Sequence, residues 1–226
     1  MTSLETYHLV FGKTGVAEPA FDVLLSRATS KCPYEIRRYG TRFAIETEYS
    51  GQDGAGFRAL AGYIGVGTSP QNDGGKSIAM TAPVVTEAIN KKGTSIAMTA
   101  PVVTDTAQDG NTRMQFILPA EYDDMSKIPK PTNPKVTLTE VKPQVGAVHK
   151  FSGWVKDDKG KSKVTQLVEQ LKEDGVDIDE KKALDSFLLW QYNPPFTIPN
   201  LRRNEVWLDL NEAQVKELLK KQKDLN

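Results

Sequence analysis

Apolar and polar residues alternate in three short segments near the start of the chain, at 21–25, 34–39 and 43–49. Alternation with a period of two is typical of a β-strand that has one face in a core and the other face in a polar environment. Gly40 separates the second segment from the third. The pattern therefore predicts three consecutive strands.

The period then lengthens to that of a helix. Phe57, Leu60, Ala61 and Ile64 recur at helical spacing, and Gly65 follows them. This spacing places the four side chains on one stripe of an amphipathic helix, and glycine is the residue that most often ends a helix. We predict a helix of about three turns whose apolar stripe faces a sheet.

The decapeptide SIAMTAPVVT occurs twice, at Ser77–Thr86 and at Ser95–Thr104, with a polar turn at 91–93 between the copies. Both copies are β-rich, so a hairpin formed by the two is the natural interpretation. Proline has no N–H for a strand ladder, so Pro83 should lie at a strand end, a bulge or an edge. Thr81 could supply a hydrogen bond to a backbone group that the proline leaves without a partner.

A larger repeat relates the two halves of the chain. Residues 136–153 repeat the order strand, turn, strand and Ser-Gly that is found at 34–51. A helical stripe at 164–171 and strands at 187–192 and 205–210 follow. The chain therefore predicts two ββαββ halves, which should pack into one closed or nearly closed antiparallel structure because each half alone leaves a sheet face bare.

The domain organisation follows from these elements. Residues 1–17 form a weakly patterned leader, residues 18–210 form one domain, and residues 211–226 form a C-terminal helix that Asn211 caps. A length of 226 residues agrees with a single domain and an appendage.

Composition narrows the function classes. The chain has 29 Lys and Arg against 29 Asp and Glu, which argues against a nucleic acid as the main partner. It has one cysteine, so it forms no internal disulfide and no zinc site built on several thiolates. No apolar run is long enough for a membrane span and no secretory signal is apparent, so a cytoplasmic location is expected.

Four pieces of the chain carry a resemblance to a known family: Ile78–Val84 with its second copy, Tyr34–Tyr39, residues 193–196 and residues 202–207. Together and in this order they resemble the SOUL haem-binding protein family over most of the chain. The resemblance implies an α+β fold, a pseudo-symmetric distorted antiparallel β-barrel with two flanking α-helices. The fold is also similar to bacterial effector-binding domains that hold hydrophobic ligands.

The resemblance also implies a function, the reversible binding of haem or a related tetrapyrrole by a carrier or buffer without catalysis. Binding in the family rests on apolar contacts along the first helix and on basic groups near the propionates. Carried over to this chain, Phe57, Leu60, Ala61 and Ile64 would form the apolar platform. Arg58 is the basic residue of that helix and would face a propionate.

Three other features allow two interpretations each. His149 lies on the same face of its predicted strand as residues that point inward. It is therefore either a candidate ligand of haem iron or a buried histidine held by a hydrogen bond. Residues 202–205 (RRNE) could bind an acidic ligand group or form an internal salt-bridge network. Cys32 could bind haem or respond to oxidants, but a plain free thiol is the simpler interpretation.

Alternative functions remain open at this stage. The same groove could bind another small hydrophobic ligand, or the protein could be an interaction module that forms a homodimer or binds a protein partner through a strand edge or its C-terminal helix. An enzyme is the weakest alternative, because only His149 and Arg58 could direct a polar group into the groove. The sequence contains no nucleophile elbow, phosphate-binding glycine loop or His/Glu metal motif.

Overall fold

The computed structural model describes residues 16–51, 53–88, 111–155, 158–193 and 196–224. The second copy of the decapeptide and most of the predicted leader lie outside the described residues. Predictions about the structure of these residues themselves therefore stay predictions.

Nine strands form one sheet in the described part of the chain. They are β1 (Phe21–Arg27), β2 (Tyr34–Tyr39), β3 (Arg42–Ser50), β4 (Val84–Ala88), β5 (Asn111–Ile117), β6 (Thr137–Val141), β7 (Gln144–Phe151), β8 (Leu188–Gln191) and β9 (Asn204–Asp209). The helices are α1 (Asp53–Ile64), α2 (Lys159–Glu173), α3 (Glu180–Ser186) and α4 (Glu212–Asp224). Two short 3₁₀ turns lie at Met125–Lys127 and Pro199–Leu201.

The strand order is β1-β2-β7-β9-β8-β4-β5-β3-β6, and every pairing between these strands is antiparallel. Within the described residues β1 and β6 are edges and do not pair with each other, so the expected closed structure is corrected to an open sheet. Without β1, the order is β2-β7-β9-β8-β4-β5-β3-β6. Exchanging β2 with β6, β3 with β7, β4 with β8 and β5 with β9 gives the same order read in reverse.

The two faces of the sheet are covered differently. One face, here called the helical face, is covered by α1 over β3 and β5 and by α2 over β7 and β9. Each helix encloses a separate apolar core with the strands beneath it. The other face, here called the open face, holds a third cluster in which the Trp190 and Trp207 rings stack with centroids 5.2 Å apart. Tyr39 meets both indoles edge-on.

Helix α1 begins and ends close to where its pattern predicted. Its stop is a left-handed Gly65 with φ of 85°, and the N–H groups of Gly65 and Val66 both donate to the Ala61 carbonyl. Gly56 allows the helix to approach β3 closely, because a Cβ at this position would lie 2.6 Å from the Tyr49 ring. The predicted amphipathic helix is therefore confirmed, and it lies directly on the sheet.

The predicted hairpin between the two copies of the decapeptide is wrong for β4. Both edges of this strand are occupied, one by β5 and the other by β8. Pro83 immediately precedes β4 and leaves the Ile117 carbonyl without a backbone donor at that position of the ladder. The Thr81 hydroxyl donates to Ile117 O, as the sequence predicted. Pairing between the two copies would need a free edge of β4, and both edges of β4 are already paired with other strands.

The C-terminal helix has the predicted cap. Asn211 Oδ1 accepts a hydrogen bond from Gln214 N at 3.0 Å, and Gln214 Oε1 accepts one from Asn211 N at 2.9 Å. Helix α3 was not predicted. Asp179 caps it through a 3.0 Å hydrogen bond from Lys182 N, and its seven residues are too few to show a clear helical period.

Candidate functional site

The predicted apolar platform on α1 is mostly turned toward the sheet. Leu60, Ala61 and Ile64 are buried in the core beneath the helix. Phe57 is half-buried and meets Phe116 edge-on, with ring centroids 5.3 Å apart. Three of the four residues therefore hold α1 on the sheet, and only the edge of Phe57 extends toward the outside.

The outward side of α1 is small and carries one cation. Gly54, Ala55 and Arg58 are exposed, and a Cβ at Gly54 would lie 3.3 Å from the Arg58 guanidinium. Arginine suits a carboxylate because its planar donors can bind both oxygens. This surface can therefore accept a flat apolar group beside Phe57 and one carboxylate at Arg58.

His149 is buried at 7% exposure, on the same face of β7 as Ala147 and Phe151, which belong to the core that α2 encloses. Its Nδ1 lies 2.7 Å from Pro33 O, and its ring stacks beside Phe151. Nε2 is also buried and has no hydrogen-bond partner in the described residues. Burial lowers the pKa of the imidazole, which is therefore neutral at pH 7.

The structure does not bring His149 and α1 together. Helix α1 packs on β3 and β5, whereas His149 lies on β7, four strand intervals from β5. At the usual strand spacing this is a separation of about 19 Å along the sheet. The α1 surface therefore does not include His149. The described residues contain no group of three or more His, Cys, Asp or Glu side chains that could hold a metal ion.

Residues 202–205 (RRNE) take part in an internal salt-bridge network, which is one of the two interpretations that the sequence allowed. The Glu205 carboxylate is fully buried and accepts hydrogen bonds from Arg37 at 2.9 Å, Tyr192 at 2.6 Å and Arg203 at 2.9 Å. Arg203 also pairs with Glu18 at 3.0 Å. These contacts join β2, β9 and the residue that follows β8 to the segment before β1. The buried acid is satisfied from within the protein.

Cys32 is a buried free thiol. Burial raises its pKa to about 11, so the thiolate is scarce at neutral pH. The interpretation of Cys32 as a plain free thiol agrees with this buried environment.

The sequence did not predict a cleft that the structure contains. A cleft of about 870 Å³ lies on the open face of the sheet. Residues from β3 to β9, from α3 and from the start of α4 line it, and none of the α1 residues and not His149. Its apolar wall includes Val85, Ile117, Leu188 and Trp190. The only sequence signal is the polar half of each alternating strand, which ordinarily indicates a surface in contact with water.

Charged side chains line the floor of this cleft. The Arg113 guanidinium lies 3.4 Å from Glu87, 3.6 Å from Glu48 and 4.0 Å from Glu46. Gln115 donates a further hydrogen bond to Glu46 at 2.8 Å. One arginine is therefore shared by three carboxylates on adjacent strands.

Two further charges lie where the cleft meets the aromatic cluster. Asp209 accepts a hydrogen bond from Trp207 Nε1 at 2.7 Å. Arg42 donates to Gln144 at 2.6 Å and lies over the Tyr39 ring. Desolvation raises the pKa of both Asp209 and Glu87, because the cleft replaces much of their hydration by protein.

The fold, a nine-stranded antiparallel sheet in the described residues, is similar to that of two solved structures. The C-terminal domain of EcmrR is 10% identical to this chain at a TM-score of 0.51, covering 83% of this chain and 99% of the domain. A protein described as a hydrolase from Listeria innocua is 10% identical at a TM-score of 0.51, covering 81% of this chain and 94% of its own. At such low identity these likenesses show the fold alone.

The chain belongs to the SOUL heme-binding protein family, which matches residues 16–89 and 87–209. The two matches meet between the copies of the repeated decapeptide, so each match contains one copy. A curated relative, Heme-binding protein 2 of Mus musculus, is 26% identical over 216 residues, which cover 89% of this chain and 94% of the relative. No helix in the described part of the chain is long and apolar enough to cross a membrane.

Proposed function

We propose that this protein binds haem or a related tetrapyrrole reversibly, as a non-catalytic cytoplasmic carrier or buffer. The observation that carries the proposal is membership of the SOUL heme-binding protein family over most of the chain. The similarity to a mouse protein named Heme-binding protein 2 over 89% of the chain supports it.

The proposed site is the outward surface of α1. The macrocycle would lie against the exposed edge of Phe57, and Arg58 would bind a propionate. Leu60, Ala61 and Ile64 would act from below by holding the helix on the sheet. The surface is shallow, so binding of this kind would be readily reversible.

Ligation of haem iron by His149 stays a separate prediction. The imidazole is buried, so ligation requires the protein around it to open. A haem bound in that way could not contact Phe57 at the same time, because the two positions are about 19 Å apart.

We also infer that the two ββαββ halves are pseudo-symmetric, with the axis between β4 and β8, and that the sheet curves as an incomplete barrel. The unchanged strand order on exchange of the halves supports this inference. The symmetry relates α1 to α2, so each half has one helix on the helical face.

The experiment is a haemin titration of the purified protein, followed through the Soret band. We expect a saturable shift that weakens several-fold in Phe57→Ala and in Arg58→Ala. Arg38→Ala is the matched control, because Arg38 is an exposed arginine on β2, away from α1. Loss of the shift in His149→Ala alone would place haem at the imidazole, and the absence of any saturable shift would refute haem binding.

A further inference from the structure

Four large apolar side chains are exposed at one end of the sheet, and this group is here called the apolar tip. Its members are Trp154, Phe196, Ile198 and Leu201. Trp154 lies between β7 and α2, and the other three lie between β8 and β9. The described part of the chain has seven exposed large hydrophobic residues, and four of them are in these two loops. Scattered apolar residues are normal on a surface, whereas a group of this kind marks an interaction site.

The two loops meet because Phe151, the last residue of β7, pairs with Asn204, the first residue of β9. Gly153 N donates to Pro199 O at 2.8 Å, and Asn204 Nδ2 donates to Gly153 O at 2.9 Å. These hydrogen bonds hold the backbones of both loops together. The apolar tip is therefore one surface carried by an ordered part of the fold.

The local structure turns the apolar side chains outward. Thr197 is buried, while its neighbours Phe196 and Ile198 are exposed. The Arg202 guanidinium carbon lies 4.3 Å from the centre of the Trp154 ring, and Trp154 remains 43% exposed. This cation–π contact holds the indole in place without covering it. The apolar tip therefore presents its side chains to whatever meets this end of the sheet.

Basic side chains lie next to the apolar tip. Lys159 Nζ donates to Ser152 O at 3.0 Å, beside the loop that carries Trp154. Helix α2 begins here, and its first turn contains Lys159 and Lys161 and no acidic residue. Cations at a helix N-terminus oppose the helix dipole, so the lysines do not stabilise α2. Asp158 pairs with Lys161 at 3.5 Å, and the remaining charge of this flank is positive.

We propose that the apolar tip inserts into the interface of an anionic phospholipid bilayer, with the lysines of α2 beside the lipid headgroups. The indole of Trp154 is the kind of amphipathic ring that is enriched at membrane–water interfaces. The positive flank matches the negative surface potential of anionic lipids. These lysines favour a lipid surface over a protein partner, because lysine is depleted from protein–protein interfaces.

This inference does not depend on the proposed tetrapyrrole site. Helix α1 packs on β3 and β5, whereas the apolar tip lies at the ends of β7, β8 and β9. Phe57 and Arg58 do not belong to the apolar tip, so variants of each surface can be measured separately.

The test uses the full chain and two kinds of large unilamellar vesicle, one of phosphatidylcholine alone and one of phosphatidylcholine and phosphatidylglycerol in equal parts. Trp154 is the natural reporter, because the other two tryptophans, Trp190 and Trp207, are buried. We expect a blue shift of tryptophan emission that saturates with lipid, with several-fold tighter binding to the anionic vesicles. Brominated phosphatidylcholine should quench the shifted emission, since the indole would lie at the level of the lipid headgroups and upper chains.

The double variant Phe196→Ser and Leu201→Ser should weaken vesicle binding at least about tenfold, because two large side chains lose their apolar contact with lipid. Val66→Ser is the matched control, because Val66 is equally exposed but follows α1. It should leave binding unchanged. Lys161→Gln should weaken binding to the anionic vesicles and leave binding to phosphatidylcholine unchanged.

Far-UV circular dichroism would show that each variant is folded, and Leu201→Ser alone provides a second test if the double variant does not fold. The double variant should leave the haemin titration unchanged, so the two proposals can fail separately. The absence of a lipid-dependent shift with anionic vesicles would overturn the proposal and leave a protein partner as the occupant of the apolar tip. Unchanged vesicle binding in the serine variants, or an equal loss in Val66→Ser, would overturn it as well.

Discussion

Replacing Glu205 by glutamine should destabilise the fold by about 3 kcal/mol or more, although the side chain keeps its size. The carboxylate is fully buried and accepts hydrogen bonds from Arg37, Tyr192 and Arg203. Glutamine has one oxygen and one NH₂ group, so it cannot accept from all three donors. Its NH₂ group would also face a donor.

The expected loss of stability depends on the ion pairs that Arg37 and Arg203 keep when Glu205 is replaced. Removing one partner of a buried ion pair typically costs about 3–5 kcal/mol, because the remaining charge is left in a medium of low polarity. Arg37 is 6% exposed in its side chain, but it keeps Glu35 at 2.7 Å. Arg203 keeps Glu18 at 3.0 Å. These remaining pairs place the expected loss toward the lower end of the range.

The assay is equilibrium unfolding in urea, followed by far-UV circular dichroism. Glu18→Gln is the control, because Glu18 is 33% exposed and pairs with the same Arg203 from the surface. Its loss should cost less than about 1 kcal/mol. If Glu205→Gln loses no more stability than the Glu18 variant, the buried network does not stabilise the fold and the reasoning is refuted.

Three further predictions concern single residues. Gly56→Ala should cost about 1–3 kcal/mol in urea unfolding, because the new Cβ would press on the Tyr49 ring; an unchanged midpoint would contradict this close contact. Cys32 should react with iodoacetamide slowly in the native protein and rapidly in urea, since burial raises its pKa to about 11; equal rates, read by mass spectrometry, would show an accessible thiol. Burial lowers the pKa of His149 below its ordinary 6.5, so the unfolded chain takes up the proton first as pH falls. The free energy of unfolding should therefore decrease from about pH 6.5 down to the lowered pKa, and His149→Gln should remove that slope in urea titrations at several pH values.

The local elements could be predicted from the sequence because their signals are local. Alternation over two residues located β2 and β3, and the 3.6-residue stripe located α1 with its stop at Gly65. Asn211 marked the start of α4. Each of these signals depends on residues within one or two turns of each other, so the chain alone contains it.

The candidate sites could be predicted only in part. The helical stripe correctly identified an apolar face, but periodicity does not say whether that face covers a sheet or holds a ligand. Burial of Leu60 and Ile64 is decided by the sheet beneath them. His149 and Phe57 were both plausible haem contacts in the sequence, and only the strand order places them four strand intervals apart.

By itself, then, the sequence determined where strands and helices form, which side of each is apolar, and to which family the chain belongs. The tertiary structure decided which strand edges meet, because strand partners are distant in the chain and no local pattern encodes them. It placed β8 against β4, which excluded pairing of β4 with the second decapeptide copy. It also gathered Glu46, Glu87 and Arg113 from three strands beside Trp190. In the sequence these are ordinary polar positions, and they become a cleft only because the sheet brings them to one place.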